Sequence, residues 1–225
     1  MKRTVSYLVV FSYVVVIGMG LAQAQQHQAK PAAAPAALAP AMDSEMAKAM
    51  AAVQQVSTPG EAHKALEPFV GTWTYTAQWW ITPDGKPQSM TGTSVNTLIF
   101  GGRFLKEEIR GEAKDQPPFE GIGLTGYDNM RKEYQTIWFD NMATGIMVGS
   151  GQFEGAAKGV TAAGDFSCPI TGETHRKFRS VWTAVDPNHN TYESYMSGPE
   201  GKEFKSMEIR YTRQGVPCPP ATERC

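Results

Sequence analysis

The densest group of side chains able to do chemistry is Arg103, Glu107, Glu108 and Arg110, four charges within one short stretch. If that stretch is extended, successive side chains alternate, so Arg103 and Glu107 share one face and Glu108 and Arg110 the other. Joined by Arg179, Glu193, Glu208 and Arg210 from later in the chain, they can form an ion-pair network inside a fold. Buried charges must be paired, and a network of that kind can hold a polar headgroup. Alternatively they are cross-strand pairs on a wet surface, each contributing little. Other chemistry is sparse. His175 opens a strand beside Arg176, and His189 lies in the turn Asp186-Pro187-Asn188-His189-Asn190. A haem or metal ligand needs a neutral imidazole with a supporting partner, and no His-x-His pair is present. No cofactor or metal is expected. Gly149-Ser150-Gly151 carries a Gly-flanked serine but no Gly-x-Ser-x-Gly elbow, and glycine within a strand more often marks a bend. Asp128 and Asp140 stand near strand ends, where capping a turn is their ordinary role. Gly121 to Gly126 is glycine-rich but precedes no helix, so it is not a phosphate loop. These residues argue against an enzyme more than for one.

The elements that must position these groups begin at Phe69-Val70-Gly71-Thr72-Trp73, followed by β-branched and aromatic residues to Ile81. Ten strand-like segments follow, at about 71–82, 87–100, 103–113, 119–128, 132–140, 145–154, 159–167, 173–185, 190–197 and 203–213. Turn chemistry separates them, as in Pro83-Asp84-Gly85, Gly101-Gly102, Asp128-Asn129 and Gly198-Pro199-Glu200-Gly201. Short connections predict an up-and-down meander, and roughly 150 residues of it suffice for one core. Closure removes exposed edges, so a barrel is preferred to an open sheet.

The alternation gives faces of unequal character. Met207, Ile209 and Tyr211 oppose Phe204, Ser206, Glu208 and Arg210; Phe178, Trp182 and Ala184 oppose Lys177, Arg179, Val181 and Thr183; Tyr192, Ser194 and Met196 oppose Glu193 and Tyr195. Either face can be the interior. The aromatics Trp79, Trp80, Tyr134, Trp138, Phe139, Trp182, Tyr192 and Tyr195 suit a packed core or a cavity for an apolar molecule, and a barrel of this size can be filled at one end and hollow at the other.

Ahead of the barrel, Lys2 and Arg3, the apolar run Tyr7 to Ile17 and Ala22-Gln23-Ala24 read as a signal peptide over residues 1–24, which assigns the protein to the periplasm or the exterior. Residues 25–42 are an Ala-, Pro- and Gln-rich leader. Residues 43–60 are helix and linker, with Asp43 or Ser44 as cap and Met46, Met50 and Val53 on one face. Residues 61–213 are the barrel, which a second short helix enters with Leu66 and Phe69 toward the core, and 214–225 a tail. Cleavage leaves 19 Lys and Arg against 22 acids, with no basic block. Nucleic acid therefore has no electrostatic footprint to meet, and the mature chain contains no membrane-spanning run. Of Cys168, Cys218 and Cys225, an odd set in an oxidising compartment, one is left over or bridges two chains; a homodimer is compatible with this.

Gly71-Thr72-Trp73 after a short helix resembles the Gly-x-Trp entrance of lipocalins and other calycins. More closely, five segments resemble the bacterial family called domain of unknown function 1579. They are Phe69 to Trp73, Gly102 to Glu108, Gly126-Tyr127-Asp128, Trp138-Phe139-Asp140 and Met207 to Arg213, and the likeness spans about residues 62–213. It implies a calycin-like barrel and carries no established activity. A more distant relative in shape is nitrobindin, a haem-binding barrel, whose glycine-rich signature is not found here. In a calycin, the residue at Trp73 plugs the closed end, with Arg210 or Arg213 stacked on its indole.

The sequence thus predicts an all-β protein: a single antiparallel up-and-down calycin-like barrel of about ten strands, with a short N-terminal helix. Its expected ligand is a small apolar or amphipathic molecule, and the residues chosen to line the pocket are Trp80, Arg103, Glu108, Tyr134, Trp138, Arg179 and Glu208. A structural or interaction module of the cell envelope is the alternative, followed by an enzyme built on the charged cluster.

Overall fold

A computed structural model describes residues 39–112, 117–155, 158–198 and 201–215. The signal-peptide segment, nearly all of the leader, Cys218 and Cys225 lie outside the described residues. Helix α1 (Ala39–Ser57) is followed by the single turn α2 (Glu61–Lys64) and a 3-10 turn (Glu67–Phe69). Helix α1 begins ahead of the Asp43–Ser44 cap because Pro40 falls in its first turn, where no backbone N–H is needed.

Ten strands then run in order: β1 (Gly71–Trp79), β2 (Gln88–Ile99), β3 (Phe104–Glu112), β4 (Phe119–Asp128), β5 (Glu133–Asp140), β6 (Met147–Glu154), β7 (Gly159–Phe166), β8 (Arg176–Asp186), β9 (His189–Ser197) and β10 (Glu203–Arg213). Each pairs antiparallel with its neighbours in sequence, and β1 also pairs with β10, so the sheet closes as an up-and-down barrel. No edge is left for another chain to extend.

Closure puts one face of every strand inside. On β3 the inward set is Leu105, Glu107, Ile109 and Gly111, with Phe104, Glu108 and Arg110 outside. The apolar sets on β8 and β9 also point inward, joined by Ser180 and Ser194. Strand β10 departs from strict alternation. A bulge between Lys205 and Met207 inserts one residue, so Phe204 and Ser206 turn inward together with Met207, Ile209 and Tyr211. An extra residue shifts every side chain before it to the other face.

One end of the barrel is closed and solid. The turn that enters β1 lies across it, and Leu66, Phe69 and Trp73 are fully buried. The Phe69 carbonyl accepts bonds from Trp73 Nε1 at 3.0 Å and Asn96 Nδ2 at 3.0 Å. Tyr134 donates from its hydroxyl to the Ala62 carbonyl at 2.6 Å, and Phe69 meets the Trp182 ring at 4.5 Å. Above Trp73 lies the Arg213 guanidinium, 4.1 Å from the ring centre, which donates to the carbonyls of Val70 at 2.9 Å and Pro187 at 2.8 Å. Arg210 instead faces outward, toward Glu208. The Gly-x-Trp signature follows from this packing. Gly71 has φ of +138°, and a Cβ there would run into the Arg213 guanidinium.

Candidate functional site

The opposite half of the barrel is hollow. A cavity of about 1100 Å³ opens between the β1–β2, β5–β6 and β7–β8 connections. Small inward residues make the room: Ala77, Gly123, Ala162, Ser180 and Ser194 stand where larger side chains would fill the bore. The upper wall is apolar, with Met90, Phe119, Trp138, Phe178 and Met207, and the rim carries Trp80, Ile81, Met142 and Ile170.

The floor is polar. Glu107 is buried, and its Oε1 accepts bonds from Tyr211 Oη at 3.0 Å and Ser94 Oγ at 3.2 Å. Burial pushes this carboxyl up to about 7, against the pull of those two hydrogen bonds. Burial and the neighbouring Glu107 push Tyr75 up to about 12 and Tyr211 well above the usual phenol range. The Tyr75 ring lies across Gly92 and Gly111, neighbours on β2 and β3, where a side chain would displace it. Its hydroxyl is buried and has no partner among the described residues. A carboxyl titrating near neutrality can accept a hydrogen bond from a bound molecule or exchange a proton with it.

At the rim, Arg176 Nη1 approaches Cys168 Sγ at 3.6 Å and Arg176 Nη2 donates to the Ser197 carbonyl at 3.1 Å. Burial raises the thiol, but hydrogen bonds from Thr171, Ile170 and Arg176 together lower it. Cys168 has no disulfide partner among the described residues. His63, a histidine outside the two considered above, is buried in α2, accepts from the Gly60 N–H through Nδ1 at 3.0 Å and has its pKa lowered by burial. His175 and His189 face Asp165 and Asp186, and no cluster of metal-ligating side chains occurs among the described residues.

Of the seven residues chosen from sequence, Trp80 and Trp138 border the cavity. Tyr134 belongs to the closed end. Arg103 sits in the β2–β3 turn and donates to the Phe100 carbonyl at 2.7 Å. Glu108 pairs with Lys106 at 2.8 Å on the outer face. Arg179 forks onto Glu203 at 2.6 and 3.1 Å and covers the Tyr195 ring. Glu208 pairs outside with Lys205 and Arg210. The charges therefore pair on the surface, Glu108 and Glu208 within their own strands and Arg179 across to β10, rather than in an internal network, because the pleat points Glu108 and Glu208 away from the bore. The interior acid is Glu107, one position along. The alternation Leu105-x-Glu107-x-Ile109 was the signal for it, since an acid between two aliphatic residues of one face shares their burial.

Fold and site together define a calycin-like barrel with one solid and one hollow half. The chain belongs to the family described as protein of unknown function (DUF1579), whose profile matches residues 58–213. Among solved structures it is similar to that of Rv2717c from M. tuberculosis, at 16% identity and a TM-score of 0.50, covering 70% of this chain and 99% of that one. It is also similar to the S-type phycobiliprotein lyase CPES from Guillardia theta, at 8% identity and a TM-score of 0.49, covering 71% of this chain and 100% of that one. No curated protein sequence matches the chain.

Proposed function

We propose that the protein is exported and binds a small, partly apolar ligand in the hollow half of its barrel. The observation that carries this reading is the cavity of about 1100 Å³, apolar along its walls and polar at its floor. Ligand pockets typically span ~300–1,000 Å³ with a few placed polar groups. Export is supported by Lys2, Arg3, the apolar run to Ile17 and Ala22-Gln23-Ala24. The test is native mass spectrometry of the full mature protein purified from a periplasmic extract. The expected spectrum has a small-molecule adduct that is lost in Trp138→Ala and kept in Arg179→Ala, on a chain that begins at Gln25. Bare protein from every extract, with no uptake of Nile red by the purified chain, overturns the binding reading; an intact residue 1–24 segment overturns export.

One observation favours an interaction module instead. Met46, Met50 and Val53 lie along one face of α1 and are 65%, 61% and 56% exposed. On that reading the adduct is absent, and the association state of the protein changes when these three become serine.

A further inference from the structure

The floor of the cavity has a chemistry of its own. Both hydrogen bonds to Glu107 end on Oε1. Its Oε2 accepts none among the described residues and lies over Gly123, where a Cβ would stand 3.2 Å from that oxygen and 3.4 Å from the Trp138 ring. Register explains the grouping, since Glu107 pairs with Gly123 and Gly123 with Trp138. The missing side chain at 123 leaves a gap between a carboxylate oxygen and an indole. Further aromatic rings complete the surround: Tyr75 and Tyr211 are 5.9 Å apart, and Trp182 lies 6.5 Å from Tyr211. The Tyr75 hydroxyl, on a side chain only 4% exposed, has no partner among the described residues.

The ionisable neighbours of this carboxyl are all phenols: Tyr75 from β1, Tyr192 from β9 and Tyr211 from β10. Strand β2 adds Ser94, which donates to it, β4 adds Gly123 and Thr125, and β8 adds Trp182. No lysine, arginine or histidine faces it among the described residues; Arg176 stands at the rim, tied to Ser197. A buried carboxylate with no cation and with aromatic rings beside it lacks a positive partner, and aromatic surrounds with an acid are how organic ammonium ions are recognised. A carboxylate ligand would instead meet like charge.

We propose, resting on the binding reading above, that the ligand is an apolar-bodied organic amine whose protonated nitrogen sits on Glu107 Oε2 between Trp138 and Tyr211. The nitrogen donates to Oε2, and the apolar body runs toward the mouth along Phe178 and Met207. Binding as an ion pair needs Glu107 ionised. The carboxyl titrates near 7, so amine affinity is full above that pH and falls by up to about tenfold for each pH unit below it.

Isothermal titration of the full mature protein with three probes sharing an indole body decides this: tryptamine, its alcohol tryptophol, and indole-3-acetate. At pH 8 tryptamine is expected to bind at least about tenfold tighter than tryptophol, with the acetate weakest. Tryptamine affinity should fall between pH 8 and pH 5, while that of tryptophol stays flat. In Glu107→Gln the tryptamine advantage should vanish with tryptophol binding kept. Equal affinities for the amine and the alcohol, preference for the acetate, or an amine affinity that ignores pH overturn the amine assignment and leave a binder. Loss of all three probes with Nile red still taken up does the same. Failure of Nile red as well removes the binding reading itself. If Glu107→Gln does not fold, the pH profile of the unaltered protein decides alone.

Discussion

The two halves of the barrel interior are built from the same ten strands and the same pleat, yet they end in opposite states. At the closed end Trp73, Phe69, Leu66, Leu105 and Tyr134 are all at or below 2% exposure. Several polar atoms buried with them are matched, since Trp73 Nε1 and Asn96 Nδ2 share the Phe69 carbonyl and Tyr134 finds Ala62, while Asn190 Nδ2 beside Trp182 has no partner among the described residues. At the open end small residues such as Ala77, Gly123 and Ala162 leave the bore empty between larger wall side chains. The rim residues Met142 and Ile170 are 70% and 67% exposed, and the Tyr75 hydroxyl has no partner among the described residues. Protein interiors ordinarily fill to crystal-like density and pair their buried polar groups. The closed half obeys the packing rule and the open half does not, whereas buried polar atoms without a partner among the described residues occur in both, Asn190 Nδ2 at the closed end and Tyr75 Oη at the open one. What separates the halves is filling.

The largest expected effect breaks the closed half. Trp73→Ala removes the plug and the surface beneath Arg213, and should lower stability by about 3–5 kcal/mol. Trp138→Ala removes a ring of the same size from a wall that already faces empty space, so no new enclosed cavity forms, and the loss should be nearer ~1 kcal/mol. Urea titrations of the two variants read the contrast directly. Equal losses would mean that the two halves are packed alike.

The next effect belongs to the floor of the hollow half. Glu107 is raised from the ordinary 4.5 to about 7, so between those values the folded chain holds a proton that the unfolded chain has released. Stability therefore declines as pH rises from 4.5 to 7 and levels off above, where the buried carboxylate costs on the order of 3 kcal/mol. Glu107→Gln is neutral at every pH and its amide oxygen can still accept from Tyr211 and Ser94. It should match the unaltered protein near pH 4.5 and exceed it above pH 7 by an amount of that order. Denaturation at pH 4.5 and pH 8 checks the sign; a variant less stable at pH 8 would show that Glu107 is held by more than the two hydrogen bonds on Oε1.

A smaller effect tests the hinge between the entering turn and β1. Gly71→Ala places a methyl in a left-handed conformation and against the Arg213 guanidinium, and should cost more than about 1 kcal/mol. The loss should shrink when Arg213 is also changed to alanine, because part of it is the contact and not the backbone. A double-mutant cycle gives that share.

How far these halves were legible differs for physical reasons. The strands were readable because turn residues and period-2 alternation are local, and each observed strand from β1 to β10 lies within a few residues of its predicted bounds. The closed end was readable through Gly71 and Trp73, whose spacing is tied to one backbone conformation and one stacked cation. The cavity lining was readable only where a residue type is rare and bulky, as with Trp80 and Trp138. The polar floor was not, because an acid's face depends on parity across a whole strand: Glu107 and Glu108 are adjacent, and a single step separates a buried cavity-facing group from one paired with Lys106 on the surface. Parity also failed before Met207, where the β10 bulge turned Phe204 and Ser206 into the bore. A bulge depends on the partner strand β9, which no local pattern in β10 contains.

The smallest expected effect sharpens the boundary between bore and surface. Arg179 has the best geometry of the outer pairs, forked onto Glu203 and stacked 4.1 Å over Tyr195. Its side chain is nevertheless 37% exposed and that of Glu203 47%, so water screens the attraction and both chains lose rotamer freedom in forming it. Arg179→Ala should therefore change stability by no more than about 1 kcal/mol, less in high salt, and leave probe binding in the cavity unaltered. The inward neighbours of Arg179 on β8 are Phe178 and Ser180, so a change in cavity affinity could reach the bore only by moving the strand. An affinity loss without a stability loss would place the ligand outside the barrel, on the charged face formed by β8, β9 and β10, and would reverse the assignment of the two faces on which the comparison of the halves depends.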